Sequence, residues 1–180
     1  ALEVRYAHDP MVLESIGEHY RRAGEAGRAY RYLIAAAKRL LDRSLIQEAW
    51  DLTERVGGIE EPAASDLPSS EFRSCRRDLI AIRSTAYDNR GEWNDALLGW
   101  RAILASAEDE GAHQAACDAR LQLASVLRRM GDFEPSTAFA EQALEAARRL
   151  QYKQGVAEAL HCMATLAWDA GDAQSCERLA

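Results

Sequence analysis

Apolar residues recur every three or four positions along most of the chain, the spacing of one face of an α-helix. The first stripe, Val12, Leu13, Ile16 and Tyr20, follows Asp9-Pro10, and this pair suits a helix start because Asp can cap free amides and Pro fits the first turn. Alternating apolar and polar runs of β-branched residues, the signature of strands, are absent from the sequence. The pattern therefore predicts an all-α chain of about nine helices.

Glycines mark the breaks between these stripes. Gly91-Glu92-Trp93, Gly131-Asp132-Phe133 and Gly171-Asp172-Ala173 recur at a spacing of 40 residues, and Gly24-Glu25-Ala26 is a fourth copy. Because glycine adopts a positive φ at no steric cost, each of these glycines can reverse the chain tightly. The spacing predicts antiparallel helix hairpins with a period of 40.

Small residues stand at fixed distances from the glycines, and the pair around Gly131 is Ala124 and Ser136. A small residue on each helix lets the two helices approach closely where they cross. Near the amino terminus the period is halved, since Gly24 to Ala29 is echoed by Ser44 to Ala49. One long middle helix is therefore expected to serve two neighbours there.

These signals divide the chain into three parts. Residues 1–56 form a three-helix block, residues 57–70 a connector and residues 71–180 repeats of period 40, the last of them truncated. The connector contains two prolines and no helical period, and it is long for a link between helices. It is either a solvated link or a hinge. The chain starts without Met and stops within a helical pattern, so we expect a piece of a longer protein.

Composition narrows the classes of function. The net charge is −7 and the isoelectric point about 5.2, which argues against nucleic acid as the partner because such binding needs a basic face. No apolar run reaches the ~20 residues that cross a bilayer, and no signal peptide is present. The four cysteines make no CxxC pair, and we expect small buried thiols in a reducing cytoplasm.

Groups that could support catalysis are scattered. His113 precedes Cys117 by four residues and His161 adjoins Cys162, but a metal site needs three or four converging ligands. No glycine-rich phosphate loop of the Walker or dinucleotide type is present. The sequence predicts no metal, no cofactor and no enzymatic activity.

The order of small residue, aromatic residue, glycine and small residue resembles the tetratricopeptide repeat (TPR) family. Gly17-Tyr20-Gly24-Ala29 shows this order, as does Ser84-Tyr87-Gly91-Ala96 with Trp100 after it. The period is longer than the roughly 34 residues usual in that family. No proline closes each unit. The three-helix start more weakly resembles the TPR-like regions of large bacterial signalling ATPases and transcription regulators.

The resemblance implies an antiparallel helix-hairpin solenoid, a TPR-like right-handed superhelix, with Trp93 and Trp100 in its core. The first helix of each unit would line a concave groove that binds a protein or peptide partner. The groove positions would be Glu14, Glu18, Arg21, Asp78, Thr85, Asn89, Asp118, Leu121, Ser125, Arg128, Glu158, His161, Thr165 and Trp168.

The expected function is a non-catalytic interaction or regulatory scaffold within a larger, cytoplasmic, bacterial signalling protein. One alternative is a sensor whose groove closes on a peptide or small effector, with residues 57–70 as its hinge. A second alternative is a spacer or self-association module. The sequence does not choose an oligomeric state or a partner.

Overall fold

A computed structural model describes residues 9–57, 67–169 and 171 of the chain. These residues form α-helices and contain no strand, so the predicted all-α fold is confirmed. The helices are α1 (Pro10–Arg22), α2 (Ala26–Asp42), α3 (Ile46–Gly57), α4 (Ser69–Asn89), α5 (Trp93–Asp109), α6 (His113–Met130), α7 (Phe133–Arg149) and α8 (Lys153–Asp169).

The described part thus holds eight helices, where the sequence pattern indicated about nine. The expected ninth helix falls in residues 172–180, outside the described residues. Residues 58–66 of the expected connector also lie outside them. The start of α1 is as the sequence predicts, because the Asp9 carboxylate accepts a hydrogen bond of 2.9 Å from the backbone N–H of Met11 and Pro10 opens the first turn.

Each described reversal contains one residue with a positive φ. The glycines predicted to reverse the chain all have a positive φ: +78° at Gly24, +76° at Gly91, +85° at Gly131 and +74° at Gly171. At Gly24 and Gly131 the helices on either side pack against each other, so these two reversals are confirmed. Gly111, Ser44 and Gln151 adopt the same conformation, with φ of 66°, 61° and 54°. Consecutive residues of positive φ are therefore half the predicted period apart, both at Gly24 and Ser44 and from Gly91 onward. One full period corresponds to a pair of helices.

The hydrogen bonds of these reversals are the same at glycine and non-glycine positions. At Gly131, the N–H groups of Gly131 and Asp132 donate to the carbonyls of Arg128 and Leu127, both at 3.0 Å. The N–H groups of Gln151 and Tyr152 likewise donate to the carbonyls of Arg148 and Ala147, at 3.1 and 2.9 Å. This Schellman pattern satisfies the free carbonyls of one helix while the next helix begins two residues later.

The chain divides into two compact units, residues 1–89 and 90–180. In the first unit, α2 packs against α1, α3 and α4, and α4 also packs against α3. The core of this unit is built from Leu33, Ile34, Leu52, Val56 and Ile82, each at most 1% exposed. The sequence-based division placed α4 with the later repeats, whereas α4 shares this core.

A close contact inside the first unit depends on a glycine. Gly17 of α1 is buried against Leu33 of α2, and a Cβ at residue 17 would lie 2.7 Å from Leu33 Cγ and 3.1 Å from the Leu33 backbone nitrogen. No side chain fits there unless α2 moves. The small residue that the pattern places seven positions before Gly24 is therefore a packing requirement.

In the second unit, α6 packs against α5, α7 and α8, and α7 packs against α8. The predicted small pair around Gly131 meets as expected, because the buried hydroxyl of Ser136 donates a hydrogen bond of 2.7 Å to the carbonyl of Ala124. Trp100 is buried at 7% exposure. The expectation for Trp93 was wrong: its side chain is 36% exposed, because it stands at the first position of α5 beside the reversal.

Ion pairs report the register of helices that are two apart in the chain. Lys38 of α2 meets Asp78 of α4 at 2.8 Å, Arg31 meets Glu71 at 3.2 Å in the same helix pair, and Arg128 of α6 meets Asp169 of α8 at 2.7 Å. The partners are 40 or 41 residues apart. Partly exposed pairs of this kind contribute at most about 1 kcal/mol each, so they mark the one-period register more than they stabilise it.

Candidate binding surfaces

In the first unit, the predicted groove residues belong to two different helix pairs. Glu14 and Glu18 of α1 meet Arg55 of α3, at 2.6 and 3.8 Å, and Arg21 pairs with Glu18 at 2.8 Å. Asp78 of α4 instead meets Lys38 of α2. The structure therefore pairs the α1 residues with α3 and the α4 residues with α2.

This pairing follows from the order of the helices along the chain. In a stack of antiparallel helices, alternate helices lie side by side, as α2 and α4 do here. The helices α1 and α4 are three steps apart, so they cannot both be the first helix of a repeat. The α4 residues Thr85 and Asn89 are bonded within their own helix: the Thr85 hydroxyl donates to the Ala81 carbonyl and the Asn89 amide donates to the Thr85 carbonyl, both at 2.9 Å.

In the second unit, the predicted positions on α6 and α8 do lie on helices that pack together. Asp118, Ser125, Arg128 and Thr165 are half-buried, while Glu158, His161 and Trp168 are exposed. Arg128 is held by its ion pair with Asp169, the residue that follows Trp168. We call the set Ser125, Arg128, His161, Thr165 and Trp168 the α6–α8 surface.

Leu121 is a correction to the predicted groove. Its side chain is only 5% exposed and packs with Cys117, Ala143, Leu144, Ala147 and Ala159. Leu121 lies four residues after Cys117 on the inward stripe of α6, so it contributes to the core instead of the surface.

Asp118 of α6 forms a hydrogen bond with Tyr152, the residue before α8. The hydroxyl of Tyr152 donates a hydrogen bond to the Asp118 carboxylate, and burial together with the charges of Asp118 and Glu158 raises the pKa of Tyr152 to about 12. The Tyr152 ring occupies the place that a side chain at Gly155 would need. Asp118 is therefore engaged by the residue that precedes α8.

Two of the cysteines are buried, as the sequence predicts. Burial, reinforced by Asp78 and Glu71, raises the pKa of the Cys75 thiol to about 11. Burial also raises the pKa of Cys117, whose Sγ lies 3.4 Å from the Ala143 carbonyl oxygen, and of half-buried Cys162. A raised pKa keeps a thiol protonated and unreactive near neutral pH. Cys176 lies outside the described residues.

A cleft in the second unit has no counterpart among the sequence predictions. It has a volume of about 410 Å³ and lies where the ends of α5 and α7 meet the first half of α6. Its polar lining is Glu108, His113, Arg120, Gln142, Glu145 and Arg149. Arg120 forms an ion pair with Glu108, and Arg149 forms one with Glu145. Because these residues come from three helices, no local sequence pattern could have grouped them.

Within the described ranges, no cluster of three or more His, Cys, Asp or Glu side chains could hold a metal ion. None of the described helices combines the length and the apolar character that crossing a bilayer requires.

The chain matches no protein-family model and no curated protein sequence. It is similar in structure to BtubC (BKLC) from P. vanneervenii, with a TM-score of 0.70 and 16% sequence identity over 95% of this chain and 69% of that chain. At this identity the likeness concerns the fold alone, and it supports the all-α arrangement of paired helices.

Proposed function

We propose that this chain is a non-catalytic, TPR-like interaction and regulatory scaffold, a segment of a larger bacterial signalling protein in the cytoplasm, and that its partner is a protein or peptide. The observation that carries the proposal is the α6–α8 surface. There, half-buried Ser125, Arg128 and Thr165 lie on the same two packed helices as Trp168, whose side chain is 76% exposed.

The residue types on this surface suit protein recognition. Trp and Arg are the residues that most often dominate the binding energy of protein interfaces, because each brings a large contact area and a polar group. The ion pair with Asp169 fixes the Arg128 guanidinium at one place while leaving it partly exposed. The aliphatic part of Arg128 and the Trp168 indole would then give a partner a preorganised contact.

Site-specific photo-crosslinking in the full-length protein tests this proposal. A photoreactive phenylalanine at His161, in the α6–α8 surface, is expected to give a discrete adduct with a partner polypeptide in the native cell. Trp168→Ser and Arg128→Gln are each expected to reduce this adduct severalfold. The matched control position is Glu141, an exposed residue of α7. No adduct at His161, or equal adducts at both positions, would contradict the proposal.

The cleft in the second unit favours a second candidate function, the sensing of a small effector. A volume of about 410 Å³ lies within the range of small-molecule sites, and the Arg120–Glu108 and Arg149–Glu145 pairs offer both charges to a ligand. A thermal-shift screen with peptides and metabolites separates the two functions. Stabilisation by a small molecule that Arg120→Gln abolishes favours the sensor, and no stabilisation by any compound favours the scaffold.

A further inference from the structure

Exposed aromatic residues share one end of the second unit. Trp93 and Phe133 open α5 and α7, and Trp168 lies in the last turn of α8. Because consecutive helices run antiparallel, the starts of α5 and α7 and the ends of α6 and α8 lie at the same end as the Gly131 reversal. We call Trp93, Phe133 and Trp168 the aromatic end.

These side chains contribute little to the core. Trp93 is 36% exposed, Phe133 43% and Trp168 76%, whereas Trp100, further along α5 from this end, is buried at 7%. Single exposed apolar residues are common on protein surfaces, but several large exposed aromatic side chains at the same end of one unit mark an interaction site more often than a single one does. Trp93 and Phe133 occupy the same position in successive 40-residue repeats, because each is the first residue of its helix.

Carboxylates flank both of these aromatic residues. Glu92 and Asp95 flank Trp93, Asp132 and Glu134 flank Phe133, and all four acidic residues are exposed. Glu92 and Asp132 stand at helix N-cap positions, yet neither side chain caps the helix that it precedes. Their charge is therefore available to a partner.

The other charged residues at this end leave an excess of negative charge. Asp169 pairs with Arg128, and Arg90 and Arg129 are also present, so among the described residues five carboxylates face three arginines. Two helices begin here and two end, so the dipoles of the helices largely cancel. The local field is negative, and its main sources are the four carboxylates beside the aromatic rings.

We propose that the aromatic end binds a basic amphipathic segment of a partner protein, with the apolar side chains of that segment on Trp93, Phe133 and Trp168 and its Lys or Arg side chains against Glu92, Asp95, Asp132 and Glu134. The inference rests on the proposed scaffold function and names the chemistry of the partner. Aromatic contact supplies the affinity, and the surrounding carboxylates select basic over acidic segments.

Isothermal titration of the intact chain with three synthetic peptides tests the inference. The first peptide is a helix-forming sequence of four to five turns, with leucines on one face and lysines on the other. In the second peptide glutamate replaces lysine, and in the third serine replaces leucine. The leucine–lysine peptide is expected to bind at least about tenfold more tightly than either of the others. Its affinity is expected to fall as the salt concentration rises, because salt screens the carboxylates.

Matched variants locate the binding. The double variant Phe133→Ser with Trp168→Ser should lower the affinity for the leucine–lysine peptide about tenfold. Leu150→Ser is the control, because Leu150 is 38% exposed at the opposite end of the second unit; it should change the affinity less than twofold. Glu92→Gln with Asp132→Asn should reduce both the affinity and its salt dependence.

Three outcomes would overturn the inference: no binding of the leucine–lysine peptide, equal binding of the glutamate or serine peptide, or an equal loss with Leu150→Ser. The photo-crosslinking experiment distinguishes this failure from a failure of the scaffold function. An adduct at His161 together with no peptide binding leaves the scaffold and removes the basic amphipathic partner.

Discussion

Ser44 and Gln151 adopt a backbone conformation that glycine usually supplies. Both have a positive φ, 61° and 54°, at reversals that lie half a period after Gly24 and Gly131. The sequence identifies the reversals at Gly24 and Gly131 because the residue type itself signals them. At Gln151 the residue type gives no such signal; the next residue, Tyr152, packs over Gly155 and bonds to Asp118.

A reciprocal pair of substitutions tests this account of the reversals. Gly131→Ala places a Cβ in open space but at φ +85°, so it should lower the free energy of unfolding by about 1 kcal/mol. Gln151→Gly relieves the same strain and should raise the free energy of unfolding, by up to about 1 kcal/mol after the extra freedom of the unfolded chain is subtracted. Urea titration measures both values.

The two variants control each other, because the reversals share one hydrogen-bond pattern and differ in residue type. Changes of the same sign in both variants, or no change in either, would mean that backbone strain does not distinguish these positions.

At the scale of the helices, Arg83 fastens α4 to the end of α3. Its guanidinium donates to the Thr53 carbonyl and to the Glu54 carboxylate, both at 3.1 Å, and to the Thr53 hydroxyl at 3.3 Å. It also lies 5.9 Å from the centre of the Trp50 ring. Thr53 and Glu54 lie near the carboxyl end of α3, where the helix dipole favours positive charge.

Removing this contact should loosen α4 from α3. Arg83→Met keeps most of the side-chain volume but none of the donors, and we expect it to lower the free energy of unfolding by about 1–2 kcal/mol, discounted for the partial exposure of the group. Arg39→Met is the control, because Arg39 makes an exposed pair with Asp42 of its own helix, at 3.2 Å. It should cost about 0.5 kcal/mol or less.

Urea unfolding of both variants measures the difference. If Arg39→Met lowers the free energy of unfolding as much as Arg83→Met does, the effect follows from the loss of a positive charge and not from the contact between α4 and α3.

The sequence-based prediction of the binding surface was partly wrong because it did not give the correct pairing of the helices. The sequence locates α1, α4, α6 and α8 correctly, but it cannot show that α1 pairs with α3 while α4 pairs with α2. The 57–70 connector interrupts the regular spacing of the reversals, so the phase of the repeat is lost there. On α6, the resemblance places Leu121 in the groove, although Leu121 lies on the inward stripe and packs with side chains of α7 and α8.

For the whole molecule, periodicity carries most of what could be predicted. Two local signals, the helical spacing of apolar residues and the regular spacing of glycines, are enough to specify paired antiparallel helices. The cleft lined by Glu108, His113 and Arg149 could not be predicted, since it exists only where three helices come together. The aromatic end could not be predicted either, because exposure depends on which neighbours each aromatic residue meets.

Both proposed surfaces depend on one claim, that the chain reverses directly after each of the helices α1, α2, α5, α6 and α7. Backbone NMR of the intact chain tests this claim most directly, because Cα chemical shifts and amide couplings report the local backbone conformation. The expected result is a series of helical segments interrupted by single residues of positive φ at Gly24, Ser44, Gly111, Gly131 and Gln151. Helical shifts that continue through Gly131, or strand shifts between Trp93 and Trp168, would contradict it.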